Sequence, residues 1–459
     1  MQLFPSRDET IAGVSHALKR RERTCVEVLE RCLGRIDAWE GKLHAWVSVD
    51  REGALDAARS LDLELSHGSW RGALHGIPIA IKDLIDVFGR PTAAGAPWLA
   101  HSPAGEDAML VTRLRAAGAI ILGKTVTTQF GCFDPPATRN PWNLERTPGG
   151  SSSGSAAAVA SGMCLGAVGT QTGGSITRPA SFCGVAGCKP SFGLVPLKGV
   201  YPAAHSLDHA GPIARSVEDL AILLEAMVSP MQQMAWRGAS ALEGSSLIEL
   251  AVACAGPEAP FSPFPPAGKV RLGRLRGMFE ARADKAALAV FEGALDRLTG
   301  AGGTIIEVSL PAEFDDVLRC HRVVMTFELA VHHGAMPPEH AGEYLPIVRG
   351  LIDEGKKISS EEYMRAKRHQ ERLRGRMAEV MRELDALVCP ATLGAAPTPE
   401  TTGDPAFNSP WSYTGLPTVS FPIGLLPEEL PLSMQLVGCH SDEPTLFAAA
   451  QWCEQTLRV

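Results

Sequence analysis

Residues 76–83 read Gly-Ile-Pro-Ile-Ala-Ile-Lys82-Asp83, and residues 119–122 read Ala-Ile-Ile-Leu. Both are short apolar runs of the kind that forms strands buried on two faces, and the first ends on a lysine and an aspartate. Between them, residues 107–117 are amphipathic and stop at Gly118, which predicts a helix. Strand, helix, strand in that order predicts parallel strands in an α/β architecture. Upstream, Thr24-Cys-Val-Glu27 reads as a capping box, with Val28, Leu29, Cys32, Leu33 and Ile36 as the apolar helix face behind it. Downstream, residues 146–191 turn to Gly, Ser, Ala and Thr, with a helix expected over 155–161 and a strand over 163–169. Arg215-Ser216-Val-Glu-Asp219 opens a helix that runs through Met227. Residues 257–268 are rich in proline and read as a surface connection. Strand, helix and strand follow at 270–275, 283–299 and 304–310, then a long helix over 359–384 and a strand over 386–389. No internal repeat is present and apolar segments continue to the end, so one large domain over 1–459 is expected.

Composition narrows the function classes. The chain has 459 residues, 45% hydrophobic and 20% charged, which makes a globular protein large enough to fold without disulfides or a structural metal. Its net charge of −8 is spread along the chain, so no basic stripe for nucleic acid stands out. The 11 cysteines are odd in number and form no CxxC pair, which fits reduced thiols and a cytoplasmic setting. The opening MQLFPSRDET does not read as a signal peptide, so none is expected, and the small-apolar stretch 156–169 falls short of the ~20 residues that span a bilayer. No membrane association is expected.

Two pattern matches are decoys. Gly118-Ala-Ile-Ile-Leu-Gly123-Lys124-Thr125 fits GxxxxGK[ST], yet its middle wants to be a strand and not a loop curled around phosphate. Gly150-Ser-Ser152-Ser-Gly154 fits the nucleophile elbow, yet Glu145-Arg-Thr-Pro-Gly precedes it where a strand should stand. His332 and His333 are adjacent and diverge on a helix, and Cys183 and Cys188 lie in an apolar stretch, so neither pair reads as a metal site. No metal or cofactor is expected.

Three pieces remain: Lys82 after its apolar run, GGSSSGS at 149–155, and TQTGGSITRPA at 170–180. Thr172-Gly173-Gly174-Ser175 would place a serine on a turn where several backbone N–H groups converge, a cradle for an oxyanion in acyl transfer. A serine hydroxyl needs a base, and burial favours the neutral form of Lys82. Taken one at a time, each piece also reads as an ordinary Gly/Ser turn or a snorkelling lysine.

Together they resemble the amidase signature family. The matching stretches are HGIPIAIKD (75–83), GKTVTTQF (123–130), TRNPWN (138–143), PGGSSSGSAAAVASG (148–162), GTQTGGSITRPASFCGVAGCKPSFG (169–193) and SLDHAGPIARSVEDLA (206–221). A fainter match follows at 407–424 and 430–438. The resemblance implies a large mixed β-sheet covered by helices on both faces, in a single domain. Its core lies at about 72–221, between an N-terminal helical segment (1–70) and a C-terminal α/β part (268–459). It implies a Ser–Ser–Lys triad, with Ser175 as nucleophile, Ser151 as the bridging serine in a cis peptide and Lys82 as base. The separation 175 − 151 = 24 is the family's spacing. The same likeness assigns the oxyanion donors to the backbone of Thr172, Gly173, Gly174 and Ser175, and expects Ser152 to support Ser151 by hydrogen bonding.

Gln171 and Gln129 stand where the family commonly has acidic residues, and Ile176-Thr177-Arg178 places the arginine one residue later than usual. That placement resembles the malonamidase-like branch, where it implies a substrate carboxylate bound by Arg178; Gln171 is expected as a second substrate contact. The alternative for Arg178 is a loop-closing pair with Asp208. The expected function is an amidohydrolase acting on a small amide, as a possible homodimer. The alternatives are the glutaminase (A-type) subunit of a tRNA-dependent amidotransferase and a non-catalytic binding protein on the same fold.

Overall fold

The computed structural model describes residue 2 and residues 6–232, 269–334 and 338–458. The proline-rich connection expected at 257–268 lies outside the described residues. Eleven strands form one sheet: β1 (Trp46–Val49), β2 (Pro78–Lys82), β3 (Ile120–Thr125), β4 (Gly166–Gln171), β5 (Ala186–Lys189), β6 (His209–Ala214), β7 (Arg271–Leu275), β8 (Thr304–Val308), β9 (Ala386–Pro390), β10 (Thr418–Leu425) and β11 (Pro431–Val437). Their order is β1-β3-β2-β4-β6-β5-β10-β11-β9-β7-β8, so strands from both halves of the chain share it. β2 runs parallel to β3 and β4, β7 runs parallel to β8 and β9, and the strands between pair antiparallel. The sheet is mixed, as expected.

Helices cover both faces. Along β9, Ala386 and Val388 belong to one apolar core while Leu387 and Cys389 belong to the other, the two-residue period of a strand buried on both sides. The first core takes Leu29 from the helix Cys25–Leu43, Val159 from Ser153–Ser161 and Phe447 from Glu443–Leu457. The second takes Val324 from Val317–Gly334, Leu373 from Ser360–Val380 and Trp411 from Ser409–Thr414.

The predicted elements stand, with shifted ends. β3 runs on through Gly123-Lys124-Thr125, and β4 begins at Gly166, three residues after its expected start at 163. The helix expected from 155 begins at Ser153, and the long C-terminal helix ends at Val380, short of 384. The capping box forms: Glu27 N–H donates to Thr24 Oγ1 at 3.1 Å, and Thr24 N–H donates to the Glu27 carboxylate at 2.8 Å. Thr24→Ala is expected to lower the unfolding free energy by about 1 kcal/mol, while Thr24→Ser keeps it. Denaturant melts check this, and an unchanged midpoint for Thr24→Ala would contradict it.

Candidate active site

β2 ends in the middle of the parallel part of the sheet, and that position buries Lys82 completely. Its Nζ lies 2.7 Å from Ser151 Oγ and 2.9 Å from Thr170 Oγ1, with the Thr170 carbonyl at 3.5 Å. Burial pulls the Lys82 pKa well below the ordinary lysine value, opposed only in part by Asp208 and Cys132. Ser151 follows a cis Gly150–Ser151 peptide, just before the helix Ser153–Ser161.

Thr170 and Gln171 close β4, and the chain then turns through 172–175 into the short helix Thr177–Phe182. Ser175 sits on this turn with 6% of its surface exposed. Its hydroxyl makes no hydrogen bond among the described residues, nor do the backbone N–H groups of Gly173, Gly174 and Ser175. Ser151 and Ser175 are joined through their neighbours, with Ser152 N–H donating to Ser175 O at 3.2 Å. No direct Ser151–Ser175 hydrogen bond is present among the described residues. The glycines answer to close approach: a Cβ on Gly174 would lie 2.7 Å from Asn408 Oδ1, and one on Gly173 would lie 3.2 Å from Ser409 Oγ.

Several expected roles change in the folded chain. Ser152 does not hydrogen-bond Ser151; its hydroxyl donates to Thr170 O at 3.2 Å and accepts from Thr170 N–H at 3.3 Å. Gln171, expected at the substrate, is fully buried. Its Oε1 accepts from the N–H groups of Ile176 (2.9 Å) and Thr177 (3.0 Å), and its Nε2 donates to Ser412 Oγ at 3.3 Å. Strand alternation is the reason: Thr170 turns its side chain to Lys82, so that of Gln171 points the other way.

Arg178 does not pair with Asp208. The Asp208 carboxylate accepts from Thr172 Oγ1 at 2.5 Å and from the N–H groups of Ala203 and Ala204. Arg178 is fully buried, and its Nη2 donates to Gly150 O at 2.7 Å and to Thr402 Oγ1 at 3.3 Å. Its Nε and Nη1 have no hydrogen-bond partner among the described residues. Burial lowers its pKa to about 10, against the pull of Asp404.

Sequence reasoning missed Thr170, His321 and Ser412, and gave Asp208 the wrong partner. Thr170 and Asp208 lie inside the matching motifs, but nothing in their identity says which way they face. The GxxxxGK[ST] match lies on β3 from Ile120 onward, with Lys124 buried and its Nζ 2.8 Å from the Asp83 carboxylate. His332 and His333 lie on one helix with their rings nearly perpendicular.

A cavity of about 610 Å³ adjoins the turn, lined by Phe133, Arg282, His321, Met325, Asp404 and Ser409 among others. The Phe133 ring also lies 5.9 Å from the Arg178 guanidinium.

The sequence model of the family described as amidase matches residues 27–447. An amidase from Pseudomonas putida is 35% identical, over 96% of this chain and 94% of its own. A glutamyl-tRNA(Gln) amidotransferase subunit, the A-type one of Nostoc punctiforme, is 33% identical, over 97% of each chain. A solved crystal structure of an amidase superposes with a TM-score of 0.84 at 31% identity, covering 98% of this chain and all of that one.

Proposed function

The chain belongs to the amidase family of hydrolases acting on amide C–N bonds, and we propose that it cleaves a small carboxylic amide to acid and amine through an acyl-enzyme on Ser175. One observation carries this reading: a fully buried lysine holds Ser151 at 2.7 Å, beside a turn whose Ser175 hydroxyl and three backbone N–H groups have no partner among the described residues.

A neutral lysine has two N–H groups and one lone pair. The two Thr170 oxygens accept the N–H bonds, which leaves the lone pair for the Ser151 hydroxyl. Ser151 passes its proton to Lys82 and takes one from Ser175 as Ser175 Oγ bonds the amide carbon. The carbonyl electron pair moves onto oxygen, where the N–H groups of residues 172–175 receive it. As the C–N bond breaks, Ser151 returns a proton to the leaving nitrogen, and water then releases the acid by the reverse route.

Ammonia release across a panel of acidic, apolar and aromatic amides tests the reading; no turnover of any of them would overturn it. A second reading, the glutaminase subunit of a tRNA-dependent amidotransferase, draws on the likeness to the Nostoc punctiforme protein. Ammonia release from glutamine that needs a co-purifying second protein would favour it. A cytoplasmic setting fits both, since the ten described cysteines are all free thiols and no described helix is long and apolar enough to cross a membrane.

The substrate class within this reading is a small amide with a nearby carboxylate. Nε and Nη1 of buried Arg178, without a partner among the described residues, support it, because a carboxylate accepts strongly from a charged guanidinium N–H. Arg178→Ala is expected to raise KM for acidic amides by a factor equivalent to roughly 2–4 kcal/mol and to spare neutral ones. Equal losses on both, with a lowered melting temperature, would assign Arg178 to holding Gly150 and Thr402 alone.

A further inference from the structure

An oxyanion cradle works only if its N–H groups already point at the place where charge develops. Along 172–175 each backbone carbonyl is held by a donor. Thr172 O accepts from His321 Nε2 at 2.9 Å, Gly173 O from Ser412 Oγ at 2.8 Å, Gly174 O from Arg178 N–H at 3.0 Å and Ser175 O from Ser152 N–H at 3.2 Å. The C=O and N–H of a planar trans peptide point in opposite directions. Fixing Thr172 O and Gly173 O therefore fixes where Gly173 N–H and Gly174 N–H point.

The last two anchors are backbone N–H groups, four and 23 residues from the carbonyls they meet. The first two are side chains from the far half of the chain, 149 and 239 residues away. His321 comes from the helix Val317–Gly334 and Ser412 from the helix Ser409–Thr414. Both are buried. A carbonyl can only accept, so the His321 proton sits on Nε2. Burial holds the imidazole pKa down at about 4, so the ring stays neutral near neutral pH. Ser412 donates to Gly173 O while its oxygen accepts from Gln171 Nε2, and Gln171 in turn ties the turn's exit at Ile176 and Thr177.

We infer that His321 and Ser412 are positioning residues that hold the peptide planes of the 172–174 segment with their N–H groups facing the substrate carbonyl. This rests on Ser175 being the nucleophile. Neither side chain need touch the reacting atoms; each acts through the backbone it holds. The oxyanion exists only after attack, so misaligned donors should lower kcat and leave KM nearly unchanged.

The test compares His321→Phe, His321→Gln and Ser412→Ala in the full chain. Each is assayed for kcat, KM and melting temperature, and for covalent labelling by a fluorophosphonate. His321→Phe is expected to lower kcat about ten- to a hundredfold, below the 10²–10³ of losing a donor outright, with KM within about twofold. His321→Gln, whose side-chain amide can donate to the same carbonyl, should recover most of the loss. Ser412→Ala removes a single hydroxyl and should lower kcat in the same way, which keeps the test alive if His321→Phe fails to fold. Wild-type kcat in both His321→Phe and Ser412→Ala, with wild type labelled on Ser175, would overturn this inference alone. So would a loss that follows melting temperature with no rescue by His321→Gln. Wild-type protein left unlabelled on Ser175 would overturn the nucleophile assignment as well.

Discussion

Ser175→Ala is expected to remove amide hydrolysis while leaving the fold and its melting temperature unchanged. The hydroxyl makes no hydrogen bond among the described residues, so its loss orphans no buried partner. The substitution adds no volume, and the anchors on the turn's carbonyls do not involve that side chain. The chemical step loses the atom that must bond the amide carbon, and backbone donors alone cannot replace it. A steady-state assay of ammonia release gives the outcome. A variant that keeps more than about a hundredth of kcat, some 2.7 kcal/mol of barrier, would place the nucleophile on another residue.

Lys82→Met should cost about 10²–10⁴ in kcat, the range for a positioned general base, while filling most of the space the lysine stem occupies. The wild-type rate carries the matching signature. Below the Lys82 pKa the side chain is an ammonium and cannot accept the Ser151 proton; above it the amine is free to act. The rate should therefore rise with pH through a pKa well below the ordinary lysine value of about 10.4, because burial penalises the cation more than Asp208 and Cys132 favour it. Removal of the lysine should remove that limb together with the activity. A wild-type profile flat between about pH 6 and 9, with chemistry limiting the rate, would contradict lysine as the base.

Much of this was legible in the sequence, and what was legible shares a physical cause. The 76–83 and 119–122 runs have no polar face, so they could only be strands covered on both sides, and they pair in parallel as β2 and β3. The Thr24–Glu27 box fixed one helix start because capping is local chemistry. The candidate triad rests on residues inside long motifs, and the fold brings Lys82 against Ser151 as the resemblance implies.

The misreadings share a cause as well. Gln171 and Arg178 lie close to Ser175 in sequence, but nearness along the chain does not say which way a side chain points. Gln171 turns inward by strand alternation, and Arg178 reaches Gly150 and Thr402 instead of Asp208. His321 and Ser412 carried no local signal, being single polar residues on helices distant in sequence from the turn they hold. Lys124 shows the converse: a motif match whose residues lie on a buried strand, with its charge met by Asp83.

The proposed chemistry depends above all on Ser175 carrying the acyl group. Peptide mapping by mass spectrometry after treatment with a fluorophosphonate tests it most directly, with Ser175→Ala treated in parallel. One stoichiometric adduct is expected on Ser175, absent from the variant and formed faster as pH rises through the Lys82 pKa. An adduct on Ser151, Ser152 or any other residue that persists in Ser175→Ala, or no adduct on an enzyme that turns over amide, would contradict it.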